Sequence, residues 1–266
     1  MDLHLTNQHV LITGGSKGIG LACARVFLQE GAKVSLVSRD QTNLETAKQV
    51  LAKEMPALAD RIAVFSADLT DAASALACLN AAEQSMGNVD VLVNSAGAAK
   101  RTAAPDLTPE IWRNALNAKF FTYINMMDPV IKRMGERRKG VIVNVVGAGG
   151  KVATTTHISG GSANAALMLA TAGLAAAYAP LGIRVNAVNP AATLTERLKE
   201  GIKVTAAHEK ISEEQALKDA TSKVPMGRLA SPEEVADTVV YLASDRASYV
   251  TGTIITMDGS QTAMVV

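Results

Sequence analysis

The chain has 266 residues, 26 Lys and Arg against 25 Asp and Glu, and a formal net charge of +1, so it offers no electrostatic footing for nucleic acid. Apolar residues make up 48% of it, enough for one sizeable core, yet no uninterrupted run approaches the roughly 20 apolar residues of a membrane span. Met1-Asp2-Leu3-His4 carries neither the basic start nor the apolar block of a signal peptide, and the expectation is a cytoplasmic protein with no membrane or nucleic-acid partner. Cys23 and Cys78 lack metal-site spacing and read as plain buried thiols, with no metal expected.

The first apolar run, His9-Val10-Leu11-Ile12, leads into Thr13-Gly14-Gly15-Ser16-Lys17-Gly18-Ile19-Gly20 and then an amphipathic stretch. Strand, glycine turn and helix in that order read as a phosphate cradle. Gly14 supplies a backbone shape that a side chain forbids, Gly18 lets the main chain approach a pyrophosphate, and Gly20 lets the helix pack closely on the sheet. The free N–H groups at the helix start face the anion. Six more β-rich runs follow, at 33–37, 62–65, 89–93, 141–146, 183–188 and 253–257. Helical segments begin near Gly18, Thr42, Thr70, Thr108, Phe120, Ser159 and Pro232, with Thr108 and Ser231 as N-caps before first-turn prolines. Near-continuous apolar strands separated by helices imply an α/β fold, a Rossmann-like doubly wound parallel sheet of seven strands in a single domain over 1–266. Lys132, Arg133, Arg137, Arg138 and Lys139 read as a solvated helix end. The excursion 191–224, beyond the sixth strand, is where a substrate lid would sit. Leu194, Leu198, Ile202 and Val204 there are either lid contacts or the packing of a helix pair, and the many charges, Arg197 among them, read as solvated.

A second small-residue turn, Asn94-Ser95-Ala96-Gly97, follows the fourth strand. With it the chain resembles the short-chain dehydrogenase/reductases over nearly its whole length. The resemblance rests on T-G-x-x-x-G-x-G at 13–20, Asp68-Leu69, Asn94 to Gly97, Asn189-Pro190, and Pro232-Glu233-Glu234-Val235-Ala236 running to Gly252 and Asp258-Gly259. It implies a nicotinamide cofactor, a small-molecule carbonyl or alcohol substrate, and a homotetramer or homodimer. The apolar tail, Ala263-Met264-Val265-Val266, is expected in a subunit contact.

At the end of the second strand a carboxylate would accept from the free adenosine ribose hydroxyls, whereas a base accommodates a 2′-phosphate. This chain has Ser38-Arg39-Asp40 there. Arg39 offers a planar fork and Lys17 a second cation, which favours NADP(H) over NAD(H), with Asp40 as the dissonant residue. Gly14, Ser16, Lys17, Gly18, Ile19 and Gly20 are the expected cradle. By resemblance Asp68 and Leu69 border the adenine, Asn94, Ala96 and Gly97 the ribose, and Pro190 and Thr195 the nicotinamide amide.

The family reduces carbonyls with a tyrosine as proton donor, a lysine one helical turn later, a serine on the preceding strand and an asparagine on an earlier helix. In the ungapped register, Gly160 stands for the tyrosine, Asn164 for the lysine, Gly147 for the serine and Lys119 for the asparagine. Lys119 and Asn164 then amount to a positional exchange, and Asn164 inherits the lysine's place beside the cofactor. His157 is the candidate proton donor, its imidazole titrating near 6.5, provided that the glycines at 160 and 161 let its loop shift into the empty tyrosine position. The resulting expectation is an NADP(H)-dependent oxidoreductase interconverting a carbonyl and an alcohol with a rearranged catalytic site. The alternative is a cofactor-binding or regulatory homologue without dehydrogenase activity.

Overall fold

In the computed structural model, which describes residues 1–97 and 99–263, with His208 by its backbone only, the sheet has seven parallel strands. They are β1 (His9–Thr13), β2 (Lys33–Ser38), β3 (Ile62–Ser66), β4 (Val91–Asn94), β5 (Gly140–Val145), β6 (Ile183–Pro190) and β7 (Ile254–Met257). Their order is β3-β2-β1-β4-β5-β6-β7. Because β1 is flanked by β2 on one side and β4 on the other, the carboxyl ends of β1 and β4 flank the crevice where open α/β sheets bind ligands. Thr13 lies opposite Val37 and Asn94 there.

The central strands are buried along their whole length, as a sheet covered on both faces requires. One core packs α1 (Gly18–Gln29), α2 (Gln41–Glu54) and α9 (Pro232–Ala243) against one face; the other packs α3 (Ala72–Met86), α5 (Thr122–Arg137) and α6 (Ile158–Tyr178) against the opposite face. Phe27, Leu28 and Val239 fill the first, and Tyr123, Met126 and Leu167 the second. Cys23 and Cys78 are free and buried in these cores, where desolvation pushes their thiols up to about 12 and about 11. Both are inert under ordinary conditions.

The expected caps are in place. Thr108 Oγ1 accepts from Ile111 N at the start of α4 (Pro109–Ala115), and Ser231 and Glu234 form a reciprocal capping box on α9. Three features differ from the sequence expectation. The helix expected near Phe120 does not start afresh, since α4 runs through a π-helical turn at 116–121 into α5. The excursion beyond β6 folds as a helix pair, α7 (Glu196–Glu209) and α8 (Glu213–Ser222), in which Ile202, Ala206 and Ala216 are buried against Leu198, Ile211 and Ala220. Leu198 and Ile202 are therefore ordinary helix-pair packing, and Leu194 and Val204 are exposed. Finally, Ile158–Leu181 is long and apolar enough to cross a membrane, which a search for uninterrupted runs misses because Gly, Ser, Asn and Thr punctuate it. One face of α6 packs on the sheet through Ala163, Leu167 and Thr171, while Leu169 on another is 77% exposed. Met264, Val265 and Val266 of the expected tail contact lie outside the described residues.

Candidate active site

The cofactor side of the crevice is shaped by backbone. Gly14 has φ +68° and Gly18 φ +54°, a region that L side chains rarely adopt. A Cβ on Gly14 would stand 2.9 Å from the Ala96 backbone, and one on Gly97 would stand within van der Waals overlap of Ala118 O. The two small-residue turns thus touch. Gly20 is tight as well: a Cβ there would strike the carbonyl of Gly14, the first residue after β1, so the start of α1 lies close against the strand end.

The start of α1 is exposed to a ligand in a way that most helices here are not. Helices α2, α3, α4, α7, α8 and α9 are capped by Asp40, Asp71, Thr108, Thr195, Ser212 and Ser231, whereas Lys17 at the start of α1 provides no side-chain cap. Its first N–H groups are left for an external acceptor. Thr195 lies over the turn, its Cγ2 3.3 Å from where a Gly18 Cβ would be. Asp40, dissonant in the sequence, caps α2 by accepting from Asn43 N at 2.8 Å, so its carboxylate is engaged with the helix. Arg39 and Lys17 are exposed and have no carboxylate within ion-pair distance among the described residues.

Some expected contacts change character. Asp68 accepts from Thr70 N and Oγ1 at 3.0 and 2.8 Å, and these bonds, then Arg39, hold its carboxyl below the usual range. Leu69 is 4% exposed with its side chain in the core, so it cannot present that side chain to an adenine; its carbonyl accepts from Asn125 Nδ2. Asn94 is fully buried, and its side chain is spent on a polar ladder. Thr13 Oγ1 donates to Asn94 Oδ1, Asn94 Nδ2 to Asn144 Oδ1, Asn144 Nδ2 to Thr171 Oγ1, and Thr171 Oγ1 to Leu167 O. Thr13 Oγ1 also accepts from Ser95 N and Ala96 N. A ribose can therefore meet the backbone here but not the Asn94 amide. The ladder ties β1, β4, β5 and α6 into one rigid floor. Pro190 ends β6 and is buried.

The opposite wall is built from side chains. Lys119, in the π-helical turn, is 8% exposed, and its Nζ donates to Tyr123 Oη at 2.8 Å and Val145 O at 3.2 Å. Tyr123, itself fully buried, donates to Val145 O at 2.5 Å. Desolvation, then Arg197, pushes the Lys119 ammonium down to about 7, and desolvation raises the Tyr123 phenol far above its ordinary value. Tyr123 is thus a prop for Lys119, reachable from sequence only as an i, i+4 partner.

His157 precedes α6, and its ring lies against Gly160. A Cβ on Gly160 would lie within 2.6 Å of Nε2 and closer still to Cε1, so the imidazole already fills the space in which a residue-160 side chain would begin. Gly149 gives the ring room on its other side. Burial, then Arg101, Arg197 and Lys119, lowers the His157 pKa below 6.5. Asn164, 5% exposed, turns Nδ2 toward Gly147 O at 3.5 Å, and a Cβ on Gly147 would sit 3.2 Å from that nitrogen. Asn189 Oδ1 accepts from Gly147 N at 3.1 Å. Among the described residues three buried polar atoms, His157 Nδ1, Asn164 Oδ1 and Asn189 Nδ2, have no hydrogen-bond partner, and two of them belong to residues bonded to Gly147. Orphaned polar atoms are costly, which makes this wall a candidate place for a polar ligand. The structure thus brings His157, Asn164 and Lys119 to one wall. Tyr123, Asn144, Thr171 and Arg101 carry no local signal in the sequence that marks them, and Arg197, exposed as its residue type suggests, also acts on His157 and Lys119.

The family model described as Enoyl-(Acyl carrier protein) reductase matches residues 14–262. A 2-(S)-hydroxypropyl-CoM dehydrogenase 3 of Xanthobacter autotrophicus is 35% identical over 264 residues, covering 99% of this chain and 100% of that one. The crystal structure of L-sorbose reductase from Gluconobacter frateurii, complexed with NADPH and L-sorbose, superposes with a TM-score of 0.92 at 27% identity over 100% of both chains. An NADPH-bound short-chain oxidoreductase from Pseudomonas aeruginosa PAO1, described as containing an atypical catalytic center, gives 0.89 at 27% identity over 98% of this chain and 99% of that one. The chain belongs to the short-chain dehydrogenase/reductase family of oxidoreductases.

Proposed function

We propose that this protein is an NADP(H)-dependent dehydrogenase/reductase that interconverts a small-molecule carbonyl and its alcohol with His157, Lys119 and Asn164 in place of the family's Asn-Ser-Tyr-Lys set. The observation that carries the reading is the imidazole of His157 lying on Gly160, where the family's tyrosine would start. The cofactor fits the residues present. Gly14 and Gly18 hold the turn open, the uncapped start of α1 would hold the pyrophosphate, Arg39 and Lys17 would flank a 2′-phosphate, and Asn164 would be the residue to accept from a ribose hydroxyl. The nicotinamide, when bound, supplies or takes the hydride. His157 donates a proton to the forming alkoxide during reduction and recovers it during oxidation. Lys119, braced by Tyr123 and Val145 O, places positive charge beside the developing oxyanion. The helix pair at 191–224 serves as the substrate lid, and the exposed face of α6 around Leu169 supports a homodimer or homotetramer.

Quenching of cofactor fluorescence will show NADPH binding more tightly than NADH; equal or absent binding of both would sink the cofactor assignment. A panel of aldehydes, ketones and quinones with NADPH separates the two functional classes. Tight NADPH binding with no turnover across the panel is the signature of the non-catalytic homologue, for which Gly147 gives some support by leaving no hydroxyl at the end of β5.

A further inference from the structure

Two arginines without an ion-pair partner among the described residues, Arg101 and Arg197, act on His157. Arg101 reaches Thr156 Oγ1 at 3.5 Å, and Thr102 N donates to Thr156 O at 3.0 Å, which fixes this arginine's loop against the segment carrying His157. Arg197 leaves the first turn of α7, close enough to Arg101, His157, Lys119 and Tyr123 for their charges to act on one another. Among the described residues neither arginine has a carboxylate within 4.0 Å, and the acidic groups that act on Arg197 are the Tyr123 phenol and then Glu200, a turn along α7. Four cationic or protonatable groups so placed repel one another, and such a cluster persists at a functional site when a ligand of opposite charge repays it. Thr195, two residues before Arg197, lies over the α1 start, while the Arg197 charge also acts on His157 and Lys119.

We propose that Arg101 and Arg197 form a subsite for a carboxylate-type anionic group on the substrate, so that the preferred carbonyl compounds are oxo acids. Two guanidinium forks, one on each rim, hold the anion while the carbonyl lies at His157. This rests on the reading of the site as a carbonyl reductase site, and binding is therefore tested apart from turnover.

The probes are 2-oxobutanoate, 3-oxobutanoate, 4-oxopentanoate and 5-oxohexanoate, each beside the methyl ketone of matching length, titrated by calorimetry into protein saturated with NADP⁺. At least one acid will bind tenfold or more tightly than its ketone, and Arg101→Gln and Arg197→Gln will each remove most of that advantage. Arg197→Lys, which keeps the charge and loses the fork, will fall between. NADPH affinity and melting temperature of the variants will stay at the wild-type level. If no acid in the series outbinds its ketone, or if the variants lose NADPH binding instead, the subsite is overturned, and the second result assigns the arginines to the cofactor. Preferential acid binding without turnover would leave the subsite standing and defeat the reductase reading.

Discussion

The wall built from β1, α1 and β2 and the wall built from β5, α6 and the π-helical turn face one cleft but are held by different forces. On the first, backbone does the work: glycines at positive φ, an uncapped helix start and a turn whose carbonyl packs against Gly20. On the second, the same tasks fall to side chains. A lysine is buried on a tyrosine and a carbonyl, an imidazole lies over a glycine, and three polar atoms lack partners. A backbone cradle depends on a local pattern and binds any dinucleotide of the right charge. A side-chain wall depends on contacts between residues far apart in sequence, so it can be rebuilt while the cradle stays.

The largest effect expected from breaking this division is on His157. His157→Gln will lower turnover in the reductive direction by about 100-fold or more while NADPH affinity holds, measured by cofactor oxidation and fluorescence titration. Reduction needs the imidazolium. With the His157 pKa held below 6.5 by burial, Arg101, Arg197 and Lys119, wild-type kcat/KM for reduction will fall as pH rises through that lowered pKa. The oxidative direction, which needs the neutral ring, will rise over the same range, and the variant will lose both limbs. A tenfold effect is expected on the other wall: Ser38→Asp places a carboxylate against the 2′-phosphate and will weaken NADPH binding by about 10-fold or more, with little change for NADH.

The smallest effect sharpens the comparison through stability. Lys119 has a folded pKa of about 7 against about 10.4 for an unfolded chain. The unfolded chain therefore binds more protons between these values, and stability rises with pH across that window. Below pH 7 the cost of burying the ammonium is fully present. Lys119→Met will raise ligand-free stability by about 2 kcal/mol at pH 6 and by less at pH 9, seen as a larger gain in melting temperature at the lower pH. A lower melting temperature at pH 6 would mean that the bonds to Tyr123 and Val145 O outweigh desolvation.

The same division decides what could be read from sequence. Seven strands, the glycine turn and the Thr108 and Ser231 caps follow from local periodicity and local chemistry, and they stand where residue types place them. Asp40 was dissonant only because its partner, Asn43 N, is a matter of helix phase. Asn94 and Leu69 stand where the motif puts them, but what their side chains touch was not legible, since one is bonded to Asn144 and Thr13 and the other lies in the core. Arg197 is exposed, as its sequence suggests, and only its reach toward His157, Lys119 and Arg101 was illegible, because these neighbours come from separate elements. The imidazole over Gly160 could be framed from sequence as a vacancy and a candidate, but its fit depends on the space at Gly149 as well.

The α7–α8 pair keeps a small apolar interior of its own, Ile202, Ala206 and Ala216 with Leu198, Ile211 and Ala220, separate from the two main cores. A piece with a private interior can part from the body without exposing the body's apolar surface. Its opening is therefore governed by a handful of contacts, among them the Thr193–Ala230 bridge and the bond from Leu194 N to Ala230 O. In amide exchange α7 and α8 will behave as a cooperative unit with a free energy of opening well below that of the sheet. Arg197, which acts on His157, rides on this unit, so under the proposed lid role opening of the pair would also change the charge felt at the imidazole.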